Sequence, residues 1–339
     1  MPQDPFELLE RLVAIPSTTG SEGPYAQAVA TVLRAEGLEV ELPEVAPGRP
    51  NLIARPPGER PRVFFSTHLD TVPPHLPPRR EGARMYGRGT ADTKGPLVAM
   101  IEAARRLRTE GIGAGFLLVV GEEVDHVGAQ VAGRTLDLFG ARIVLGEPTS
   151  NRLVAAQKGL LKGRLRAEGV AGHSAFPDRG VSAIHRLLEC LEQVRGDTWP
   201  RDPVLGETTL NVGTIEGGVA ANVFAPSAEA QLMFRLAAPV AGVRARLESL
   251  LVAGVSLDVI SQNDPVTLVP PAGYPTCVIP FNSDASYLAP LGPVWLCGPG
   301  AIEVAHSDHE HIDLADLLAG VELYVELGRL AGRERRSKK

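Results

Sequence analysis

The chain has 339 residues, 44% hydrophobic and 22% charged, with a formal net charge of −6. This composition is typical of a globular protein with two domains or one elaborated domain. The negative net charge excludes a broad basic surface, so we expect no nucleic-acid partner. The basic stretch RERRSKK at 333–339 is expected to be a solvated tail.

Cysteine usage and the apolar stretches indicate the compartment. The three cysteines are widely spaced and form no C-x-x-C, which argues against a disulfide scaffold and a thiolate zinc site. The segment MPQDPFELLERLVAIPS lacks the basic and continuous apolar regions of a signal peptide. The densest apolar run, 116–120, is too short to cross a bilayer. We therefore expect a cytoplasmic protein with no membrane partner.

The first half of the chain alternates between helix and strand patterns. The N-terminal segment places four apolar residues on one helical face, namely Phe6, Leu9, Leu12 and Val13. The segment 97–108 also predicts a helix, because its apolar residues recur every three or four positions. Apolar runs at 63–65, 116–120 and 143–145 predict strands buried on both faces of a mainly parallel sheet.

The pattern changes from about residue 160. The strand-like run LLKGRLRAEG is followed by a helix, two strands, a second helix and the strand SLDVIS. This β-α-β-β-α-β order is the split βαβ pattern of a ferredoxin-like α+β unit. The predicted fold is an α/β domain built from 1–158 and 267–339, which ends in a helix over 314–330, with an inserted α+β domain at 159–266.

Acidic and histidine side chains follow the predicted parallel strands or precede the next helix. The set comprises His68, Asp70, Asp92, Glu122, Glu123 and Glu147. In open α/β sheets, sites form outside the carboxyl ends of the strands, so one edge would collect all six residues. Each group alone would be a satisfied strand end or a solvated turn, and only their recurrence favours a site.

Five carboxylates at one edge require positive charge nearby. A buried carboxylate without compensation has a raised pKa or destabilises the fold. Histidine and carboxylate ligands favour zinc or a similar first-row ion, and the supply is sufficient for two ions. The second imidazole would be His306, His309 or His311, among which spacing does not choose. His75 and His126, in predicted loops, are expected to be structural or solvated.

Five motifs resemble those of the di-zinc metallohydrolases, namely HLD at 68–70, YGRGTADTKG at 86–95, GEE at 121–123, GEP at 146–148 and GHSAFPDRG at 172–180. That family includes acetylornithine deacetylase, succinyl-diaminopimelate desuccinylase, aminoacylase and carboxypeptidase-type exopeptidases. The resemblance covers nearly the whole chain in the right order. It implies a zinc-exopeptidase-like main domain and an inserted lid and dimerisation domain.

The resemblance implies two bound divalent metal ions, zinc or else cobalt or manganese. His68 and Glu147 would hold one ion, and Glu123 and a C-terminal histidine would hold the other. The family pattern Gly-Pro-Gly followed by Ala-His selects His306, in GPGAIEVAH. Asp92 would bridge both ions.

The same resemblance implies roles in the reaction. Glu122 would be the general base, taking a proton from water and returning it to the leaving amine. Asp70 would orient the histidine two residues before it. His173 would reach the active site of the partner subunit in a homodimer and stabilise the oxyanion, although without the resemblance it would be a turn histidine.

Two further residues match positions that contact the substrate. They are Asn222, and Arg235, whose guanidinium would suit a substrate carboxylate through bidentate hydrogen bonds. A structural salt bridge is the alternative for Arg235. The loop 72–85 lacks a tryptophan that many members carry, and Thr93 stands where methionine is common, so specificity transfers less directly.

The predicted activity is hydrolysis of the amide bond of an N-acyl amino acid. The GPGAIEVAH segment most resembles acetylornithine deacetylases, which favours N-acetylornithine as substrate. The alternatives with the same chemistry are a desuccinylase, a hydrolase that releases lysine or ornithine from a carrier protein, and a dipeptidase or carboxypeptidase. A non-catalytic binding protein on this fold would have lost Glu122 or a ligand, whereas every expected position is filled.

Overall fold

A computed structural model describes residues 4–333 of the protein, which divide into two compact units. Within that range the first unit comprises residues 4–155, 268–277 and 283–333. The second comprises residues 156–267 and 278–282. The return segment 278–282 is not part of the insertion predicted from the sequence, and the roles predicted for the two parts stay predictions.

The described residues form helices and strands along the whole range. The α-helices are α1 Pro5–Val13, α2 Gly23–Ala35, α3 Lys94–Thr109, α4 Val127–Thr135, α5 Ala183–Gly196, α6 Val240–Ser249, α7 Ala285–Leu288 and α8 Leu314–Arg333. The strands are β1 Glu39–Glu41, β2 Glu44–Ala46, β3 Arg49–Pro50, β4 Leu52–Arg55, β5 Val63–His68, β6 Arg79–Glu81, β7 Arg84–Tyr86, β8 Ala114–Val119, β9 Arg142–Leu145, β10 Leu153–Gln157, β11 Gly159–Glu168, β12 Arg201–Asp202, β13 Gly206–Glu207, β14 Thr209–Gly217, β15 Ser227–Leu236, β16 Val255–Asn263, β17 Val266–Thr267, β18 Thr276–Ile279, β19 Val294–Leu296 and β20 His311–Asp313. Among the described helices, none has both the length and the apolar character needed to span a membrane.

The first unit is built on a six-stranded sheet with the order β1-β4-β8-β5-β9-β19. Strands β8, β5, β9 and β19 are parallel to one another, which confirms the predicted α/β fold with a mostly parallel sheet. The pairings of β4 with β8 and of β1 with β4 are antiparallel. The segment between β1 and β4 contains no helix, and a parallel crossover needs a dozen or more connecting residues, usually a helix.

The core of the first unit lies between this sheet and the helices that cover it. Every residue of β5 and β8 is buried, as the apolar runs in the sequence predict for central parallel strands. The ring of Phe65 lies 5.9 Å from that of Phe116 and 5.7 Å from that of Tyr324 on α8. Complete burial of such side chains contributes about 1.5–3 kcal/mol each, so the central strands are firmly held.

The second unit contains an antiparallel sheet with the order β14-β15-β11-β16. Its elements follow the chain order β11-α5-β14-β15-α6-β16, the predicted β-α-β-β-α-β pattern. Alternate residues of β15 are buried, namely Ala228, Ala230, Leu232, Phe234 and Leu236. They pack with the buried faces of α5 and α6 in one hydrophobic cluster, because a strand turns alternate side chains to the same face.

Candidate metal centre and active site

The carboxyl ends of the parallel strands in the first unit place the candidate ligands. β5 ends at His68, β8 ends at Val119 just before the GEE motif, and β9 ends at Leu145 just before Glu147. β19 leads into the segment that carries His306. Strands that run in the same direction deliver their following residues to one edge of the sheet, where sites of α/β proteins form.

Asp92 lies between two imidazoles at this edge. Its Oδ1 is 3.0 Å from Nε2 of His68, and its Oδ2 is 3.2 Å from Nε2 of His306. Oε1 of Glu123 lies 3.0 Å from the same nitrogen of His306. Asp92 also sits just ahead of α3, where the helix dipole favours negative charge. One carboxylate is thus shared by two histidines.

The hydrogen bonds of His68 point to a cation between it and Asp92. Its Nδ1–H donates to the backbone carbonyl of Asp70 at 2.9 Å, which leaves Nε2 of the neutral ring as an acceptor. That acceptor faces a carboxylate oxygen 3.0 Å away, so a proton or a metal ion must lie between the two atoms. Atoms of His68, Asp92 and Glu123 that could bind a metal lie within 4.8 Å of one another. The donor set fits a divalent ion.

Asp70 supports both the histidine and the GEE motif. Its Oδ1 accepts hydrogen bonds from the backbone N–H groups of Gly121 and Glu122, and its Oδ2 accepts one from Glu123. The hydroxyl of Thr19 donates to Oδ2 at 2.8 Å. Burial raises the pKa of the Asp70 carboxyl. The neighbouring imidazole and these hydrogen bonds outweigh that effect and hold the pKa below its usual value. Asp70 therefore fixes the loop that carries two of the candidate residues.

Glu147 contributes a buried carboxylate that needs a positive partner. Only 4% of the residue is exposed, and its Oε1 has no hydrogen-bond partner in the described part of the chain. Burial raises the pKa of its carboxyl well above the usual range, and the charges of Glu122 and Asp92 raise it further. A buried, unpaired carboxylate oxygen is unfavourable, so this residue too fits a metal-ligand role.

Glu122 lies beside this cluster with a side chain only 11% exposed. Burial raises the pKa of its carboxyl well above the usual range, whereas the charge of His68 lowers it. A carboxyl group with a raised pKa is suited to take up and release a proton near neutral pH.

The structure distinguishes the three C-terminal histidines. His306 joins the cluster, and its backbone has φ 60°, a left-handed conformation that is uncommon for residues other than glycine. Such strain is concentrated at functional sites. His311 instead donates to the carbonyl of His309 at 2.7 Å and packs against Tyr86, with ring centres 5.4 Å apart. His309 is exposed.

Two residues that the sequence interpretation missed lie beside Glu122. His126, expected in a loop, is buried, and its Nδ1 lies 2.9 Å from Oδ1 of Asp284 and 3.8 Å from Oε1 of Glu122. Oδ2 of Asp284 is buried and has no hydrogen-bond partner among residues 4–333. The only sequence signal for His126 is its position just after the GEE motif. Asp284 follows no apolar run and carries no signal of its own.

The remaining predicted site residues lie in the second unit. His173 is exposed, and its Nδ1 accepts a hydrogen bond from the backbone N–H of Ala175. Asn222 is also exposed, and its carbonyl accepts a hydrogen bond from the N–H of Ser174, so the two segments are neighbours. Arg235 lies on β15, partly buried. The roles of these residues in substrate binding and catalysis stay predictions.

Comparisons with known proteins place the chain in a family. Residues 64–329 match the family described as Peptidase family M20/M25/M40. A Peptidase M20 domain-containing protein of Schizosaccharomyces pombe is 34% identical over 95% of this chain and 83% of that protein. A protein of Aspergillus terreus named "Probable carboxypeptidase" is 33% identical over 95% of this chain and 86% of its own length.

A solved structure shows the same fold. The tripeptidase from Staphylococcus aureus superposes with a TM-score of 0.77 and 22% identity, covering 98% of this chain and 99% of that one. Peptidases of this family generally use divalent metal ions, which agrees with the cluster around Asp92. The chain belongs to peptidase family M20 and is a hydrolase of amide or peptide bonds.

Proposed function

We propose that the protein is an exopeptidase with two metal ions that hydrolyses a peptide bond of short peptides and releases a terminal amino acid. The observation that supports this most is the position of Asp92, whose two carboxylate oxygens each face a different imidazole. A carboxylate placed in this way is suited to be shared by two metal ions. A single-metal site would need only one of those contacts.

The ligand set follows the two sides of that carboxylate. His68 and Glu147 would hold one ion, Glu123 and His306 would hold the other, and Asp92 would contact both. Zinc is the proposed metal, because imidazole and carboxylate are its usual ligands when thiolates are absent. Bound metal ions of this kind lower the pKa of water and polarise a carbonyl oxygen.

Glu122 would transfer the proton in the reaction. The carboxylate takes a proton from the water that attacks the scissile carbonyl carbon, and then gives it to the nitrogen of the leaving amine as the C–N bond breaks. Burial favours the protonated form of this carboxyl, so it can hold the proton between the two transfers. Hydrogen bonds that the backbone N–H groups of 121–123 donate to the Asp70 carboxylate keep the Glu122 side chain in place.

Peptides are proposed as substrates ahead of N-acyl amino acids. The relative from Aspergillus terreus carries the name carboxypeptidase, and the similar solved structure is a tripeptidase. The second candidate is deacetylation of N-acetylornithine, which the GPGAIEVAH segment and Glu147 in GEP favour. The other acyl substrates considered from the sequence, succinyl-diaminopimelate and carrier-linked lysine or ornithine, belong to the same test.

The second unit is proposed to act as a lid and as the surface through which two chains form a homodimer in the cytoplasm. His173 would stabilise the oxyanion in the partner's site, and Asn222 and Arg235 would bind the substrate. His173→Ala should then lower kcat with little change in KM, and sedimentation should show a dimer. Unchanged turnover in that variant, or an active monomer, would remove this part of the proposal.

The function is tested by amine release from a matched substrate set. The zinc-loaded protein is incubated with a dipeptide, a tripeptide, N-acetylornithine and N-succinyl-diaminopimelate, and Glu122→Gln is the control. We expect turnover of a peptide, and a loss of about 10²–10⁴-fold in kcat in the variant at unchanged metal content. Turnover of N-acetylornithine alone would favour the second candidate. Peptide turnover that survives in Glu122→Gln would refute the proposed base.

A further inference from the structure

A buried carboxylate outside the ligand set holds the segment that carries Asp92. Glu310 is 1% exposed, and its Oε1 accepts three backbone hydrogen bonds. The donors are the N–H groups of Gly89 at 2.9 Å, Ala91 at 3.1 Å and Asp92 itself at 3.1 Å. The segment therefore folds around one oxygen atom, and the backbone of the shared candidate ligand is tied directly to it.

The other oxygen of Glu310 is paired with a buried arginine. Arg88 is 1% exposed, and its Nη1 donates to Oε2 of Glu310 at 2.7 Å. The same nitrogen donates to the carbonyl of Ser307 at 3.1 Å, and Nε donates to the carbonyl of Pro74 at 3.2 Å. Ser307 directly follows His306. The pair therefore joins the segment before Asp92 to the segment that carries the second imidazole.

Stability alone is a weak explanation for this pair. Replacing a buried ion pair with apolar residues of similar volume is often neutral or stabilising, because desolvation of the two charges offsets their attraction. A geometric role is better supported, because every hydrogen bond of Glu310 Oε1 ends on the backbone of 89–92, and one of those of Arg88 ends on the carbonyl that follows His306. Charged groups around metal sites orient the metal ligands and hold them in the binding geometry in this way.

We propose that Arg88 and Glu310 are positioning residues that set the separation between Asp92 and His306 for metal binding. This inference rests on the proposed function, because it takes Asp92 and His306 to be metal ligands. Neither residue touches the substrate or the reacting atoms. They act through the backbone of 89–92 and through the carbonyl that follows His306.

The test is a zinc titration of the chelator-treated protein against a chromophoric competitor. In Glu310→Gln the amide can still accept from the backbone, but its nitrogen faces Arg88 as a second donor. At least one zinc-binding step should weaken by about 10- to 100-fold. The matched control is Asp313→Asn, which breaks the bidentate pair of Arg84 and Asp313 between β7 and β20. That variant should bind zinc like the unmodified protein.

A second variant keeps the proposal testable if Glu310→Gln does not fold. Arg88→Lys retains the charge but cannot reach both Glu310 and the carbonyl of Ser307, and it should also weaken zinc binding. Folded variants with unchanged zinc affinity would overturn the proposal, and so would failure of both variants to fold. Because the readout is zinc affinity, a protein inactive on every tested substrate would contradict the proposed function without affecting this result.

Discussion

The two sides of the candidate ligand cluster are held by the fold in different ways. His68 and Glu147, the strand-end side, lie at or just after the ends of buried parallel strands and are 3% and 4% exposed. Glu123 and His306, the loop side, lie on irregular segments, and the side chain of His306 is 50% exposed. Asp92 contacts an imidazole on each side.

The comparison shows that one side of the candidate site is positioned by the sheet and the other side by loops. The strand-end side takes its position from the sheet, which is held by buried apolar side chains. The loop side takes its position from hydrogen bonds. The Asp70 carboxylate accepts them from the GEE motif, and Arg88, which is paired with Glu310, donates one to the carbonyl that follows His306. Sites on strands and helices are positioned more precisely than sites on loops, so the loop side needs these supports.

Removal of the shared carboxylate should have the largest effect, because it acts on both sides at once. Asp92→Asn keeps one side-chain oxygen and replaces the other with an amide nitrogen, which does not bind a metal ion as a carboxylate oxygen does. We expect kcat to fall about 10³-fold and the bound zinc to fall below two ions per chain. Turnover and metal analysis of the same sample measure both effects. Two retained ions would show that Asp92 is not shared.

The stability of the metal-free protein should separate the two sides. His68→Ala leaves the buried Asp70 carboxylate without its imidazole and Asp92 with only one of its two, and should lower the free energy of unfolding by about 3–5 kcal/mol. His306→Ala removes a half-exposed partner whose charge is screened by solvent, and should lower it by less than about 1 kcal/mol. Urea unfolding of both variants measures the difference, and equal losses would contradict the comparison.

The stability that the two histidines contribute to the metal-free protein should fall as the pH rises. Hydrogen bonds with Asp92 and Glu123 raise the pKa of His306 to about 10, and the pKa of His68 is raised by its carboxylate partners despite burial. A histidine whose folded pKa is raised contributes stability below its unfolded pKa, about 6.5, and loses it as pH rises through the folded value. The raised carboxyl pKa values of Glu122 and Glu147 act in the same direction.

Thermal unfolding after chelation, between pH 6.5 and pH 10, measures this dependence. Burial lowers the pKa of Lys94 to about 7, which makes stability rise with pH over the same range, so the contribution of His306 is measured as the difference between the unmodified protein and His306→Ala. The unmodified protein should melt at a higher temperature than the variant near pH 6.5, and this advantage should disappear as the pH approaches 10. An advantage that stays constant over this range would contradict the assignment.

The smallest effect is expected from substitution of Asp284, which contacts His126, the neighbour of Glu122. Burial and then the charge of Asp284 raise the pKa of the Glu122 carboxyl, whereas the charge of His68 lowers it. Asp284→Asn removes that charge and keeps an oxygen that can accept from His126. The acidic limb of the pH profile of kcat/KM should move to lower pH, with metal content unchanged. A limb that stays in place would show that Asp284 does not tune the base.

Much of the fold follows from local patterns in the sequence. Buried parallel strands must be apolar on both faces, so the runs at 63–65, 116–120 and 143–145 identified β5, β8 and β9. Periodicity located α3, and alternating strand and helix signals identified the second unit. The antiparallel pairing of β1 and β4 carried no comparable signal, because strand direction depends on the connections.

For the candidate site, the sequence alone determined which residue types follow the parallel strands, since His68, the GEE motif and Glu147 each lie beside an apolar run that must be buried. Spacing did not choose among the three C-terminal histidines, and only the family resemblance selected His306, which the tertiary structure places against Asp92. Tertiary structure also brought His126, Asp284 and Glu310 to the cluster. Those contacts join residues far apart along the chain, since His126 and Asp284 are 158 residues apart and Asp92 and Glu310 are 218 residues apart. Local propensity and periodicity carry no information about such distant pairs, because only packing of the whole unit brings them together.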